Sequence, residues 1–214
     1  ASLAQTNFLP GYYVTAHRDT VRGYIDYRSE SKNNGVCIFK ETLESESVRL
    51  NPDEIEGFVI RDVDIYERHI HKTRKGYELF GFFRLIIKGK VSLYRFESDY
   101  YAMDSSGKIF DLSDKPVESQ GVNRKDYYRI GIMKVLLKDC EEMANNLERK
   151  YKSNDNLEDI LREYHECLGL SFYQTQTIKV EPAIRFGLSS SVVYSGLYFN
   201  AEGFQNSFNN KIVP

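Results

Sequence analysis

Residues 78–98 read ELFGFFRLIIKGKVSLYRFES, and this stretch decides the fold. Two apolar and aromatic runs, ELFGFFRLIIKG (78–89) and KVSLYRFES (90–98), meet at Lys88-Gly89-Lys90. Phe, Leu, Ile, Val and Tyr suit the pleated, half-buried surface of a sheet, and a glycine between two such runs signals an antiparallel hairpin. The pattern repeats outward. Downstream, YYAMD (100–104) and KIFDLS (108–113) flank Ser105-Ser106-Gly107, a second hairpin signal. Upstream lie a short strand at Ile65–His71 and the run GFVIRDV, which follows the turn Asn51-Pro52-Asp53-Glu54. Further back, VCIFK (36–40) follows the polar stretch SESKNNG (29–35), and GYYVTAH (11–17) and VRGYIDYR (21–28) flank Arg18-Asp19-Thr20. Residues 11–125 are therefore expected to form an antiparallel β-rich domain.

The period changes after residue 125. From Asp126 to Tyr151, the apolar residues Ile130, Met133, Leu136, Leu137, Cys140, Met143, Ala144, Leu147 and Tyr151 recur at helical spacing. Lys152-Ser153-Asn154 breaks the pattern, Asn154 or Asp155 suits an N-cap, and a second stripe follows at Leu157, Ile160, Leu161, Tyr164, Cys167 and Leu168. Gly169 is placed to stop it. Residues 126–170 are expected to fold as an αα-hairpin whose apolar stripes face each other and the sheet. Reflected about Asn154, Cys140 and Cys167 reach the same level, because both arms rise equally per residue. Both lie on the apolar stripes, so a Cys140–Cys167 disulfide is favoured over two buried free thiols. In the loop-entropy account it contributes about 3.5 kcal/mol. Cys37, inside VCIFK, is left as a buried free thiol.

Composition narrows the function. The chain has 214 residues, with 29 Lys and Arg against 31 Asp and Glu, so it has no cationic excess with which to hold a phosphate backbone. No stretch approaches the ~20 apolar residues of a membrane-spanning helix. Residues 1–10 resemble the end of a leader. Ser2 and Ala4 are small residues two apart, as signal peptidase prefers, which would make Gln5 the first mature residue. Export and oxidised cysteines are the expectation.

Chemistry is sparse. His69 and His71 form an H-x-H pair that a strand would place on one face together with Glu67, a familiar start to a metal site. Against it, Arg68, Lys72, Arg74 and Lys75 crowd the pair with positive charge, and no spaced His or Cys completes a tetrahedral set. A solvated strand end is the simpler reading, and no metal or cofactor is assigned. His165-Glu166-Cys167 is expected to turn its His and Glu to water. Acidic runs such as Asp62-Val63-Asp64 read as turns and solvated faces. No nucleophile elbow, phosphate-binding loop, dinucleotide fingerprint, EF-hand or H-E-x-x-H occurs, and no catalytic residue is assigned.

The cleanest alternation in the chain is IKVEPAIRFGLSSSVVY (178–194), apolar at even positions and charged, small or hydroxylic at odd ones. Long dyad alternation ending in tyrosines reads as an amphipathic β-strand that spans an outer membrane as part of a barrel. Residues 171–214 would then hold the first barrel strand and, from Asn200 to Asn210, an extracellular loop. One strand alone leaves its backbone unpaired in lipid, so the barrel would have to be completed beyond residue 214 or by another polypeptide.

Three segments carry a resemblance: Gly11-Tyr12-Tyr13-Val14, the run Asp19-Thr20-Val21-Arg22-Gly23-Tyr24-Ile25-Asp26-Tyr27-Arg28, and Pro52-Asp53-Glu54-Ile55-Glu56-Gly57-Phe58. In this order, with the G-K-x-S-L-Y run at Gly89–Tyr94, the chain resembles exported Bacteroidetes proteins in which a β-rich N-terminal domain precedes a porin-like outer-membrane β-barrel. The resemblance implies a periplasmic domain with an anchoring, assembly or envelope-interaction role. Its partners would be envelope proteins or the outer membrane itself, with no nucleic acid. Two alternatives stand beside it. One is a complete soluble exported domain that binds a small ligand or envelope polymer through its Tyr-rich sheet; the other is a metal-dependent enzyme using His69 and His71.

Overall fold

Alternating apolar residues and tight turns fold the first half of the chain into one antiparallel sheet. The computed structural model describes residues 7–62, 64–73, 76–112, 127–150 and 157–175. The strands are β1 (Phe8–Thr15), β2 (Thr20–Asp26), β3 (Cys37–Lys40), β4 (Val48–Leu50), β5 (Ile55–Ile60), β6 (Asp64–Lys72), β7 (Glu78–Lys88), β8 (Ser92–Phe96), β9 (Asp99–Met103), β10 (Ile109–Asp111) and β11 (Tyr173–Gln174). Helix α1 (Glu30–Gly35) interrupts the first strands, and α2 (Tyr127–Leu136), α3 (Glu141–Lys150) and α4 (Leu157–Cys167) follow β10. No helix among the described residues is long and apolar enough to cross a membrane.

The strand order β10-β9-β8-β7-β6-β5-β1-β2-β3-β4 is two meanders joined where β1 lies antiparallel to β5. The 78–98 hairpin forms as expected, with Leu85 opposite Tyr94 and Ile87 opposite Leu93. The register slips between Leu85 and Ile87, so Ile86 is an extra residue on β7. This bulge lets one strand feed three apolar clusters. Phe82 packs with Ile25, Cys37, Phe39, Phe58 and Tyr66 on one face. Phe83 and Leu85 pack with Tyr94, Phe96 and Tyr101 on the other. Ile86 and Ile87 join Leu93, Met133, Leu137, Leu147, Leu161 and Tyr164 beneath the helices. Strand β11 pairs with Lys88 and Ile87, on the edge of β7 away from β8.

Several expectations are corrected. The helix read over 126–151 is two helices, because Leu137–Cys140 forms a turn, with the Cys140 N–H donating to the Leu137 carbonyl at 3.0 Å. A straight helix of that length would run about 39 Å. The corner instead folds both arms back over the sheet, so that Met133, Leu137, Cys140, Met143 and Leu147 are all buried. Lys90 holds the corner to the β7–β8 turn through Asp139 at 2.6 Å.

Residues 29–35, read as a polar connection, contain α1. This helix is held by tertiary contacts: Asn34 donates to the Phe82 carbonyl at 2.6 Å and accepts the Glu97 N–H at 2.8 Å. Strand β1 begins at Phe8, so the end of the supposed leader segment belongs to the sheet, with Leu9 opposite Ile25. Of the expected barrel start at 171–214, residues 171–175 belong to the described part, with β11 on the sheet, while 176–214, the alternating stretch 178–194 included, lie outside the described residues, as do 113–126.

Candidate functional site

Strand β6 places Glu67, His69 and His71 on one face, as the period of two requires. The hairpin register brings Tyr94 over the same face beside Leu85, and the β7 bulge returns Lys88 to it. Three polar groups cluster around Glu67. Tyr94 donates its hydroxyl to Oε2 of Glu67 at 2.6 Å, and Lys88 Nζ donates to both carboxylate oxygens at 3.0 Å. Lys88 Nζ also lies 3.0 Å from the Tyr94 oxygen, and Nε2 of His69 is 3.5 Å from Oε2. Burial pushes the Glu67 carboxyl up, but donors from His69, Tyr94 and Lys88 outweigh it and hold the pKa at about 2. Burial first, and then the Glu67 charge, push the Tyr94 phenol far above its ordinary value. The result is a carboxylate that stays charged and already occupied by donors, which suits an anchor and not a general base.

The two histidine rings of this face part to different aromatic neighbours. The His69 ring packs edge-on against Tyr94 at 4.8 Å and Phe83 at 5.6 Å. His71 turns instead to Tyr101, at 5.4 Å, and its Nε2 is buried with no hydrogen-bond partner. Burial lowers the His71 pKa, with Asp111 opposing. Among the described residues no three His, Cys, Asp or Glu side chains are grouped to hold a metal ion. At this strand end His69 and His71 are half-buried against aromatic rings, while Ile70 and Lys72 are exposed.

The opposite face holds a second ionic group. Arg84 and Arg95 are directly paired across β7 and β8, a like-charge contact that would repel by itself. Asp64 takes Arg84 Nε at 2.8 Å and Nη2 at 2.7 Å. Glu30, delivered by α1, lies 3.5 Å from Arg84 Nη1 and accepts Arg95 Nε at 2.6 Å. Asp64 is 1% exposed, so its reading as part of a solvated acidic turn is corrected. Burial raises its pKa and Arg84 offsets this only in part. Sequence carries no sign of this network, because its members come from four separated elements.

The predicted cysteines do meet. Cys140 and Cys167 are bridged, with Cα atoms 6.4 Å apart. Cys140 is 4% exposed, whereas Cys167, at the end of α4, is open to solvent. The bridge lines a cleft of about 280 Å³ together with Glu142, Met143, Glu163 and Glu166.

His165, expected to face water, is 0% exposed and fills the space above Gly89. Its Nδ1 sits 2.7 Å from the Leu161 carbonyl, which only accepts, so Nδ1 carries the proton. Nε2 then accepts the Val91 N–H at 3.4 Å. The signal was present: His165 follows Leu161 by four and precedes Leu168 by three, on the buried stripe. Comparison with known families, with curated proteins and with solved structures returns no match.

Proposed function

We propose that residues 7–175 form a non-enzymatic interaction domain of an exported envelope protein, leading into an outer-membrane barrel that begins near Ile178. The observation that carries this reading is the Cys140–Cys167 bridge, since such bridges persist in oxidising compartments. Two further features support it. The Thr175 N–H and hydroxyl bond to the carbonyls of Ile86 and Leu85 at 2.9 and 2.8 Å, so the sheet holds the chain to within three residues of the alternating stretch. The resemblance to β-rich domains that precede porin-like barrels points the same way. The occupied Glu67 carboxylate favours a holding role over an acid-base one.

The test is fractionation of the full gene product in a Gram-negative host. Recovery in carbonate-resistant outer membrane, with heat-shifted migration on a gel, is the expected result. A wholly soluble periplasmic product would overturn the barrel and leave the soluble exported domain. That second reading has one observation in its favour: among the described residues, β4 and β10 stand at the ends of the sheet, where a further strand could pair.

A further inference from the structure

We propose that the Cys140–Cys167 bridge is a thiol–disulfide exchange site, entered at Cys167 by the thiolate of a dithiol protein whose thiolate is flanked by cationic side chains. Access makes the bridge asymmetric. Both cysteines line an open cleft of about 280 Å³, but Cys167, at the end of α4, is exposed while Cys140 is 4% exposed. A nucleophile arriving through the cleft therefore meets the Cys167 sulfur first. The less exposed sulfur, that of Cys140, is placed to leave. Cys140 is the N-cap of α3, its carbonyl accepting the Ala144 N–H at 3.0 Å. The positive end of the helix dipole favours a thiolate there, although Glu141 and Glu142 in the first turn oppose this.

The partner's thiolate attacks Sγ of Cys167, the S–S bond breaks, and its electron pair goes to Sγ of Cys140. The partner's second thiolate then attacks the partner's own bonded sulfur and releases Cys167. The partner dithiol is oxidised to a disulfide and this chain gains two electrons and two protons. The fold survives the change, because Met143 and Leu147 of α3 and Ile160, Leu161 and Tyr164 of α4 share one apolar cluster without the bridge. Glu142, Glu163 and Glu166 at the cleft repel an anionic thiol and attract a cationic one, which sets the partner's charge.

The experiment uses the oxidised protein with cysteamine and mercaptoethanesulfonate as cationic and anionic probes, with rates compared per thiolate. Peptide mass spectrometry should find the first adduct on Cys167 and a free thiol at Cys140. The rate should rise linearly with thiol, near-UV circular dichroism should persist after dithiothreitol reduction, and cysteamine should lead about tenfold. Glu142→Gln with Glu166→Gln should shrink that lead. An adduct on Cys140, a rate that levels off at high thiol, or loss of the native spectrum on reduction would overturn the exchange site. Equal rates for the two probes would overturn the cationic partner. None of these outcomes depends on the membrane address, so the two proposals fail separately.

Discussion

At Gly89 a single methyl group decides whether α4 can dock. A Cβ there would lie 2.3 Å from Nε2 of the buried His165, so Gly89→Ala should cost about 1–3 kcal/mol in urea unfolding. Removing the ring relieves the clash, and Gly89→Ala with His165→Ala should lose less than the two changes summed. Protonation tests the same contact. Burial lowers the His165 pKa below 6.5, with the Leu161 carbonyl opposing, and a charged ring can no longer accept from Val91. The unfolded state therefore binds the proton first. His165, joined with the same sign by His71, contributes stability that is complete above pH 6.5 and lost as pH falls through the lowered values. Glu67 adds a later step, present above pH 4.5 and lost between 4.5 and about 2. Unfolding free energy measured from pH 8 to pH 3 should fall in both windows. His165→Gln should shrink the first step and Glu67→Gln the second. Residue-scale readings succeeded where patterning alone decides burial, as for Cys37, which is 0% exposed with its thiol pushed up to about 12. They failed for His165, because a polar residue was assigned to water against its place on the stripe.

Among elements, the cysteine register survived an error in the helix that carries it. Cys140 opens α3 and Cys167 ends α4, so the reflection about Asn154 remained valid although the segment before Cys140 turns a corner. Replacing both cysteines by alanine should lower stability by no more than about 3.5 kcal/mol and leave the circular dichroism native. The α1–β6–β7–β8 ionic group behaves differently, since Arg84 and Asp64 at its centre are buried. Arg84→Met leaves Asp64 and Glu30 without their shared guanidinium and should cost about 3–5 kcal/mol, read from the urea midpoint at pH 7. Adding Asp64→Asn should recover part of the loss. Helix α1 was illegible locally because its supporting partners, Phe82 and Glu97, lie far along the chain.

Over the whole molecule, β7 is the strand that all three apolar clusters share, through Phe82, through Phe83 and Leu85, and through Ile86 and Ile87. The described domain should therefore unfold as one unit. Cys37 reports on this, being a buried free thiol in the N-terminal meander, far in sequence from the helices. Its reaction with a thiol reagent along a urea series should share its midpoint with the far-UV signal. Earlier reaction would mean that the meander opens separately. Sequence by itself determined the antiparallel hairpins around Gly89 and Gly107, the helical stripes after residue 126 and the cysteine pairing. Each depends on periodicity and spacing along a short stretch. Only the tertiary structure decided the joining of β1 to β5, the bulge at Ile86, the corner at Leu137–Cys140 and the union of Glu67, Lys88 and Tyr94. These depend on which distant residues meet, and a local pattern of apolar and polar residues does not encode its partner.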